Sequence, residues 1–389
     1  MKGWLLSPGG QPNFLNCEAG LISVMTSAWT GDHVRRINPG DKNRIPAISK
    51  VDRSLLASDR LYWDMWPVQD AWGARAPVGG RELWMALTAP DRGDPALRHF
   101  EAKIHFIERR GLDWVDLGPV LPAFDVPYER EWAGSALLDD GTLTLFFTAA
   151  GTAQRAGGYQ QQLWKAKAKI GKDGMPGQWS EPARIIYHYA PYYDAADAHD
   201  GAPGTIKAFR DPAYFRDPAD NTEYLAFTGS LAGSESAFNG AFGIARKTPT
   251  GWYLDPPLIH ADAVNNELER AHLVFHDGRY YAFWSTQTAT FAPGLRHAPG
   301  GLYGMVAESL RGDWRPLNGS GLVLANPTDL PQQTYSWFVD ASLTVCSFVD
   351  VYDAPDQATS FGGVPAPLLQ LKLDGDRASL GALQPEATA

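Results

Sequence analysis

The chain has 389 residues, a net charge of −10, 44% hydrophobic residues and 12% aromatic residues. That acidic balance excludes a phosphate-tracking nucleic-acid surface or an anionic-membrane partner, and it suits a neutral, polyhydroxylated ligand. The apolar content is enough for a sizeable core, no apolar run is long enough to span a membrane, and 14 Trp, 15 Tyr, 17 Phe, 39 Gly and 29 Pro point to strands joined by many turns.

In chain order, residues 1–28 come first and read as an N-terminal extension, disordered or wrapping the fold. Met1–Gly10 holds one Lys and the brief apolar patch Trp4-Leu5-Leu6, too short for a signal-peptide core. Ala19–Trp29 is more apolar but follows Glu18, and Met25 is an alternative start. Cys17 and Cys346 make no disulfide framework and are expected to be free thiols.

Five β-rich runs then recur: Glu82–Thr88, Thr142–Thr148, Glu223–Thr228, Arg279–Ser285 and Ser342–Phe348. Asp140-Gly141 and Asp277-Gly278 stand directly before two of them and predict primed hairpin turns, which need positive φ. After four of the runs a Trp stands shortly before a Pro or apolar pair: Trp114, Trp179, Trp252 and Trp314. Each unit is roughly 60–80 residues, the span of a four-stranded blade with its loops. The repeat predicts an all-β, five-bladed propeller with a funnel-shaped centre on its axis, residues 29–389 forming one domain. A β-sandwich or two unrelated β domains are the alternatives at this point. The once-per-blade Trp residues are expected to pack between blades.

The segments preceding the five runs carry the chemistry. They are Leu61-Tyr62-Trp63-Asp64-Met65-Trp66-Pro67, Arg130-Glu131-Trp132-Ala133-Gly134-Ser135, Phe209-Arg210-Asp211-Pro212, Asn266-Glu267-Leu268-Glu269-Arg270 and Thr334-Tyr335-Ser336-Trp337. In a propeller the first strand of each blade lines the central channel, so Asp64, Asp211 and Glu269 would meet at one mouth with Trp63, Trp132, Arg210 and Tyr335. Glycoside cleavage needs one carboxyl to protonate the leaving oxygen and a second to attack or stabilise the sugar cation. Glu267 and Glu269, two apart on an extended segment, face the same side. The nine His show no metal-ligand spacing, and the Gly-rich stretches precede no helix pattern, so neither a metal site nor a phosphate cradle is expected.

These motifs, with Gly301-Leu302-Tyr303-Gly304 and Gln333-Thr334-Tyr335-Ser336-Trp337, resemble glycoside hydrolase family 68, the levansucrases, inulosucrases and related β-fructofuranosidases, from about Trp29 to Leu373. The resemblance implies a five-bladed propeller and double displacement on sucrose, with Asp64 as nucleophile, Asp211 as transition-state stabiliser and Glu269 as acid/base. It places Trp63, Trp132, Arg210, Glu267, Arg270 and Tyr335 in the fructosyl and glucosyl subsites. Three further positions of that set depart from the common pattern: Ala133 replaces a Ser, Thr228 a Glu, and Gln287 an Arg or His. Asn266 replaces an Asp of the calcium-binding members, so no calcium or other cofactor is expected. The resemblance also implies sucrose and fructosyl acceptors as partners, a monomer, and an extracellular or periplasmic protein, the cytoplasm remaining open. The changes at the acceptor side favour water or short acceptors over long levan.

Overall fold

The computed structural model describes residues 26–38, 40–48, 56–152, 156–197, 206–352 and 360–381. Residues 1–25 of the expected extension, with Cys17, lie outside them. The strands group in chain order into five blades. After β1 (Ser27–Ala28), blade I holds β2 (Arg60–Gln69), β3 (Glu82–Pro90), β4 (Lys103–Arg110) and β5 (Asp113–Pro119). Blade II holds β6 (Arg130–Asp139), β7 (Thr142–Ala150), β8 (Gln161–Ile170), β9 (Pro176–Trp179) and β10 (Ala183–Arg184), the last two both pairing with β8. Blade III holds β11 (Phe209–Arg216), β12 (Glu223–Ser230), β13 (Gly240–Thr248) and β14 (Gly251–His260). Blade IV holds β15 (Glu269–His276), β16 (Arg279–Thr286), β17 (Gly301–Ala307), β18 (Arg315–Pro316) and β19 (Leu322–Ala325). Blade V holds β20 (Thr334–Val339), β21 (Thr344–Tyr352), β22 (Ser360–Pro365), β23 (Leu369–Asp374) and β24 (Arg377–Leu380).

The first strands of the blades meet one another in the cyclic order β2, β6, β11, β15, β20 and back to β2, which is a ring about one axis. The five runs anticipated from the sequence are the second strands, β3, β7, β12, β16 and β21. The last begins at Thr344 rather than Ser342, because the Asp340 carboxylate accepts from the Ser342 and Thr344 amides and winds the intervening residues into a turn. Both hairpin signals hold. Asp140 and Gly141 have φ of 46° and 62°, and Asp277 and Gly278 have 47° and 75°, the paired positive values of a type I′ turn.

Apolar packing lies chiefly between blades. Phe106 of blade I meets Trp179 of blade II, and Phe146 of blade II meets Trp252 of blade III at 6.0 Å. Trp314 packs in the blade III–IV cluster with Trp29, and Trp114 against the blade V–I cluster with Trp84, Phe338 and Cys346. The repeated Trp residues therefore fill the wedges between successive sheets, as the sequence suggested. Cys346 is a buried free thiol, and burial pushes it up to about 12, so it behaves as a small hydrophobe.

The chain ahead of blade I straps the ring from outside. β1 pairs in parallel with β14, and the Trp29 amide donates to the His260 carbonyl at 2.9 Å. The Trp29 indole donates to the Ser320 carbonyl of blade IV, the Ile45 amide to the Ala325 carbonyl, and the Ile48 amide to the Gln333 side chain of blade V. Thus residues Ser27 and Ala28, assigned to the extension from the sequence, add a strand to blade III.

Candidate active site

Each first strand carries a bulge at the same height. Pairing skips between Trp63 and Trp66 in β2, Trp132 and Gly134 in β6, Arg210 and Ala213 in β11, Glu269 and His272 in β15, and Tyr335 and Phe338 in β20. An unpaired extra residue turns its side chain out of the sheet's alternation, which re-aims it toward the axis. The bulged residues Asp64, Asp211, Arg270 and Ser336 have φ of 43°, 60°, 55° and 56°. Positive φ is costly for a residue with a Cβ, most so for a long side chain such as Arg, and such strain concentrates at functional sites. In β6 the bulge needs glycine: a Cβ on Gly134 would overlap the Phe146 carbonyl oxygen. So Trp63, Trp132, Arg210, Glu269 and Tyr335 occupy one position in five blades, and Asp64, Ala133, Asp211, Arg270 and Ser336 the next. Glu269 stands one residue earlier than the two Asp residues, a shift that the sequence alone did not reveal.

The ring encloses a cavity of about 250 Å³ at this level. Asp64, Asp211 and Glu269 all line it, together with Trp63, Trp132, Arg210, Glu267, Gln287 and Tyr335 of the expected set. Ala133, Thr228 and Arg270 do not line it, and this corrects their placement in sugar contact. The Thr228 hydroxyl is buried behind Asp211 and donates to its Oδ2 at 2.9 Å, while accepting the Arg270 amide at 3.0 Å. The Arg270 guanidinium turns away over the Trp66 and Phe338 rings and donates to Ser336 Oγ and the Met65 carbonyl, each at 3.3 Å. Ala133 is buried, and its carbonyl accepts from the Thr148 hydroxyl, whose oxygen in turn accepts the Asp211 amide at 2.8 Å. These three residues carry the wall on which the acids stand. Asn266 is buried too, its amide donating to the Ile206 carbonyl and to Glu267.

Arg210 ties the acidic groups together. Its Nη2 donates to Glu267 Oε2 at 2.8 Å and to Glu269 Oε1 at 3.3 Å, and its Nε lies 3.5 Å from Asp211 Oδ2. The Tyr335 hydroxyl donates to the other Glu269 oxygen. Glu269 is thereby fixed by one group on each carboxylate oxygen, from blades III and V. Burial pushes the Asp64 carboxyl up to about 7; the neighbouring Arg270 opposes this, Glu269 and Asp211 add to it, and a hydrogen bond with the Ser336 hydroxyl again opposes it. Burial likewise raises Asp211 and Glu267, against the pull of Arg210.

Sequence reasoning missed Arg98, His99, Tyr159 and Asp350, which also line the cavity. Burial, with Arg98, Arg130 and Arg210 nearby, lowers His99 to about 3, so it stands as a neutral ring beside Trp63 and Trp132. Among the described residues no group of three or more His, Cys, Asp or Glu is placed to hold a metal ion, and no helix is long and apolar enough to cross a membrane.

Thr228→Val keeps shape but removes the hydroxyl that anchors Asp211 and leaves the Arg270 amide only its longer bond, at 3.3 Å, to Asp211 Oδ2. Loss of such a buried bond to a charged group costs about 1.5–3 kcal/mol. The expected result is a kcat roughly 10-fold or more below the unaltered value, with a much smaller change in KM, because the missing bond orients an acid rather than binding sugar. Steady-state kinetics on sucrose measures it.

Comparison with known proteins agrees with this geometry. The family model described as levansucrase/invertase matches residues 21–241 and 235–384. A levansucrase, LscB, of Pseudomonas savastanoi pv. glycinea is 30% identical, covering 92% of this chain and 91% of the relative. The solved inulosucrase from Halalkalicoccus jeotgali bound to kestose is 36% identical with a TM-score of 0.82, covering 92% of this chain and 95% of that one. The β-fructofuranosidase catalytic domain of Microbacterium saccharophilum K-1 is 25% identical with a TM-score of 0.77, covering 92% and 91%. With bulged acids gathered on one axis and a family match along nearly its whole length, the chain belongs to the levansucrase/invertase family, glycoside hydrolase family 68.

Proposed function

We propose that this chain cleaves sucrose and transfers its fructosyl unit with retention, through a covalent fructosyl–Asp64 intermediate. Asp64 attacks the anomeric carbon of the fructosyl unit while its bond to the glucosyl oxygen breaks and Glu269 gives that oxygen a proton. Asp211 holds fructosyl hydroxyls and favours the oxocarbenium-like transition state. Glu269 then takes a proton from water or an acceptor hydroxyl, whose oxygen displaces Asp64. Trp63, Trp132, Arg210, Glu267, Gln287 and Tyr335 contact the sugars.

The observation that carries this reading is the setting of Glu269. Its two oxygens are engaged separately by Arg210 and Tyr335, in a cavity shared with Asp64 and Asp211. A carboxyl so oriented is suited to pass a proton to and fro across one bond. Sucrose and short fructosyl acceptors are the proposed partners of a monomer acting in the periplasm or outside the cell. Gln287 is exposed at the cavity and carries no charge, which supports water or short acceptors over long levan.

Incubation with sucrose tests both levels. Release of glucose is expected, with free fructose at a comparable level and short oligosaccharides as the transfer products. No glucose release overturns the reading; abundant high-mass fructan overturns the acceptor preference alone.

A further inference from the structure

Two charged side chains in the cavity take no part in the three-carboxylate arrangement. Arg98 comes from a short 3-10 turn, Pro95–Phe100, between β3 and β4, with Asp94 capping the Ala96 amide. Its guanidinium lies over the Phe361 ring of blade V at 4.4 Å and the Trp63 ring of blade I at 5.6 Å. One nitrogen donates to the Pro95 carbonyl at 2.7 Å, and Nε is buried with no hydrogen-bond partner among the described residues. Asp350 comes from blade V, at the register shift between Val349 and Val351, its amide donating to the Gln333 carbonyl at 2.9 Å. Its half-buried carboxylate has no hydrogen bond or ion pair among the described residues. Burial pushes it up to about 6; Arg98 opposes this and Glu269 adds to it.

Opposite charges in a low-dielectric site attract strongly, and a buried charge left unpaired is costly to keep. Here the two line one cavity, feel each other, and yet do not close into a bridge. Rings on both sides hold the guanidinium, and the strand irregularity holds the acid. Arg98 enters the cavity from the β3–β4 loop of blade I and Asp350 from β21 of blade V, so the pair lies on the blade V–I side of the cavity that Asp64 and Glu269 also line, while Asp211 stands on blade III.

We propose that Arg98 and Asp350 form a clamp for a vicinal pair of sugar hydroxyls, which fits the gap by accepting from the guanidinium and donating to the carboxylate. This rests on the fructosyl-transfer reading of the cavity and deepens it. Either sugar of the substrate offers such hydroxyls: the fructosyl unit, or the glucose that leaves and competes to return. Water lacks the paired geometry, so a clamp of this kind adds short sugars to water as acceptors.

The test compares Arg98→Met and Asp350→Asn with the unaltered protein, measuring KM and kcat for sucrose and inhibition constants for free glucose and free fructose. Asp350→Asn keeps the side-chain shape, and a Tm measured on each variant separates binding from misfolding. The expected result is a KM for sucrose about 10- to 100-fold higher in each variant, the range of a lost hydrogen bond to a charged group. At least one sugar should weaken by a similar factor in both. A loss confined to fructose assigns the clamp to the fructosyl unit; a loss confined to glucose assigns it to the leaving and accepting sugar. Unchanged KM and unchanged inhibition by both sugars, with Tm retained, overturns the clamp. If the unaltered protein releases no glucose from sucrose, the fructosyl-transfer reading fails instead, and calorimetric titration of the same variants with the two sugars still decides the clamp.

Discussion

Asp64→Asn is expected to lower turnover on sucrose by more than ~10³-fold, as removal of a covalent nucleophile does, and to raise Tm at neutral pH at the same time. The two effects have one origin. Burial and the neighbouring Glu269 and Asp211 hold the Asp64 carboxyl up to about 7, above its ordinary range. A carboxyl raised on folding favours the folded state fully only while it is protonated, below its unfolded value. That contribution is lost as pH rises through about 7, so at neutral pH and above the ionised Asp64 is a burden on the fold. Asn stays neutral at every pH and keeps a partner for the Ser336 hydroxyl. The gain in Tm should therefore be largest near pH 8 and should vanish toward pH 4, where Asp64 is itself neutral. A variant that loses activity and also loses Tm across that range would contradict the assignment of Asp64 as a strained, reactive acid. Calorimetric melts at several pH values, paired with glucose release, read both halves.

Arg210→Met is expected to do the opposite to stability and a smaller but still large harm to catalysis. Arg210 is buried, and its guanidinium meets Glu267, Glu269 and Asp211. Removing one partner of a buried charge network leaves the others uncompensated, at about 3–5 kcal/mol. Stability should fall most at neutral pH and recover on acidification, since the orphaned carboxyls then take up protons. Catalysis falls for a different reason: Glu269 keeps only the Tyr335 hydroxyl, and a misplaced acid costs on the order of 10²-fold. Arg210→Lys should restore part of the stability but little of the rate, because a single ammonium cannot reproduce the fork that reaches Glu267, Glu269 and Asp211 together. Equal Tm for the Met variant and the unaltered protein at pH 7 would show that the network is not held by this residue.

Much of this was legible in the sequence, for a physical reason. A propeller repeats its hairpin, so the Asp-Gly turns and the β-rich second strands mark the blades, and the residues just before them must lie on the axis. That logic placed Trp63, Asp64, Trp132, Arg210, Asp211, Glu269 and Tyr335 in one cavity. It failed where side-chain direction depends on the bulge. Arg270 occupies the position that Asp64 and Asp211 occupy in their blades, yet its length lets the guanidinium fold back over Trp66 and Phe338. Thr228 sits on a second strand, one layer behind, and reaches the chemistry only through Asp211. Arg98 and Asp350 carry no local signal at all. One belongs to a loop between two strands of blade I and the other to the second strand of blade V, and only closure of the ring sets them side by side.

That closure has a mechanical consequence. Blade I is built wholly from the start of the propeller chain and blade V wholly from its end, and neither lends a strand to the other. The junction is held by the Arg75–Asp340 ion pair, the Ala341 amide on the Gly73 carbonyl, and rings packed around Met65 and Cys346. It resembles a bracelet fastened by a clasp rather than forged as a loop. A sugar gripped from both sides of that joint would act as the pin, so loading the site would also lock the circle shut against heat.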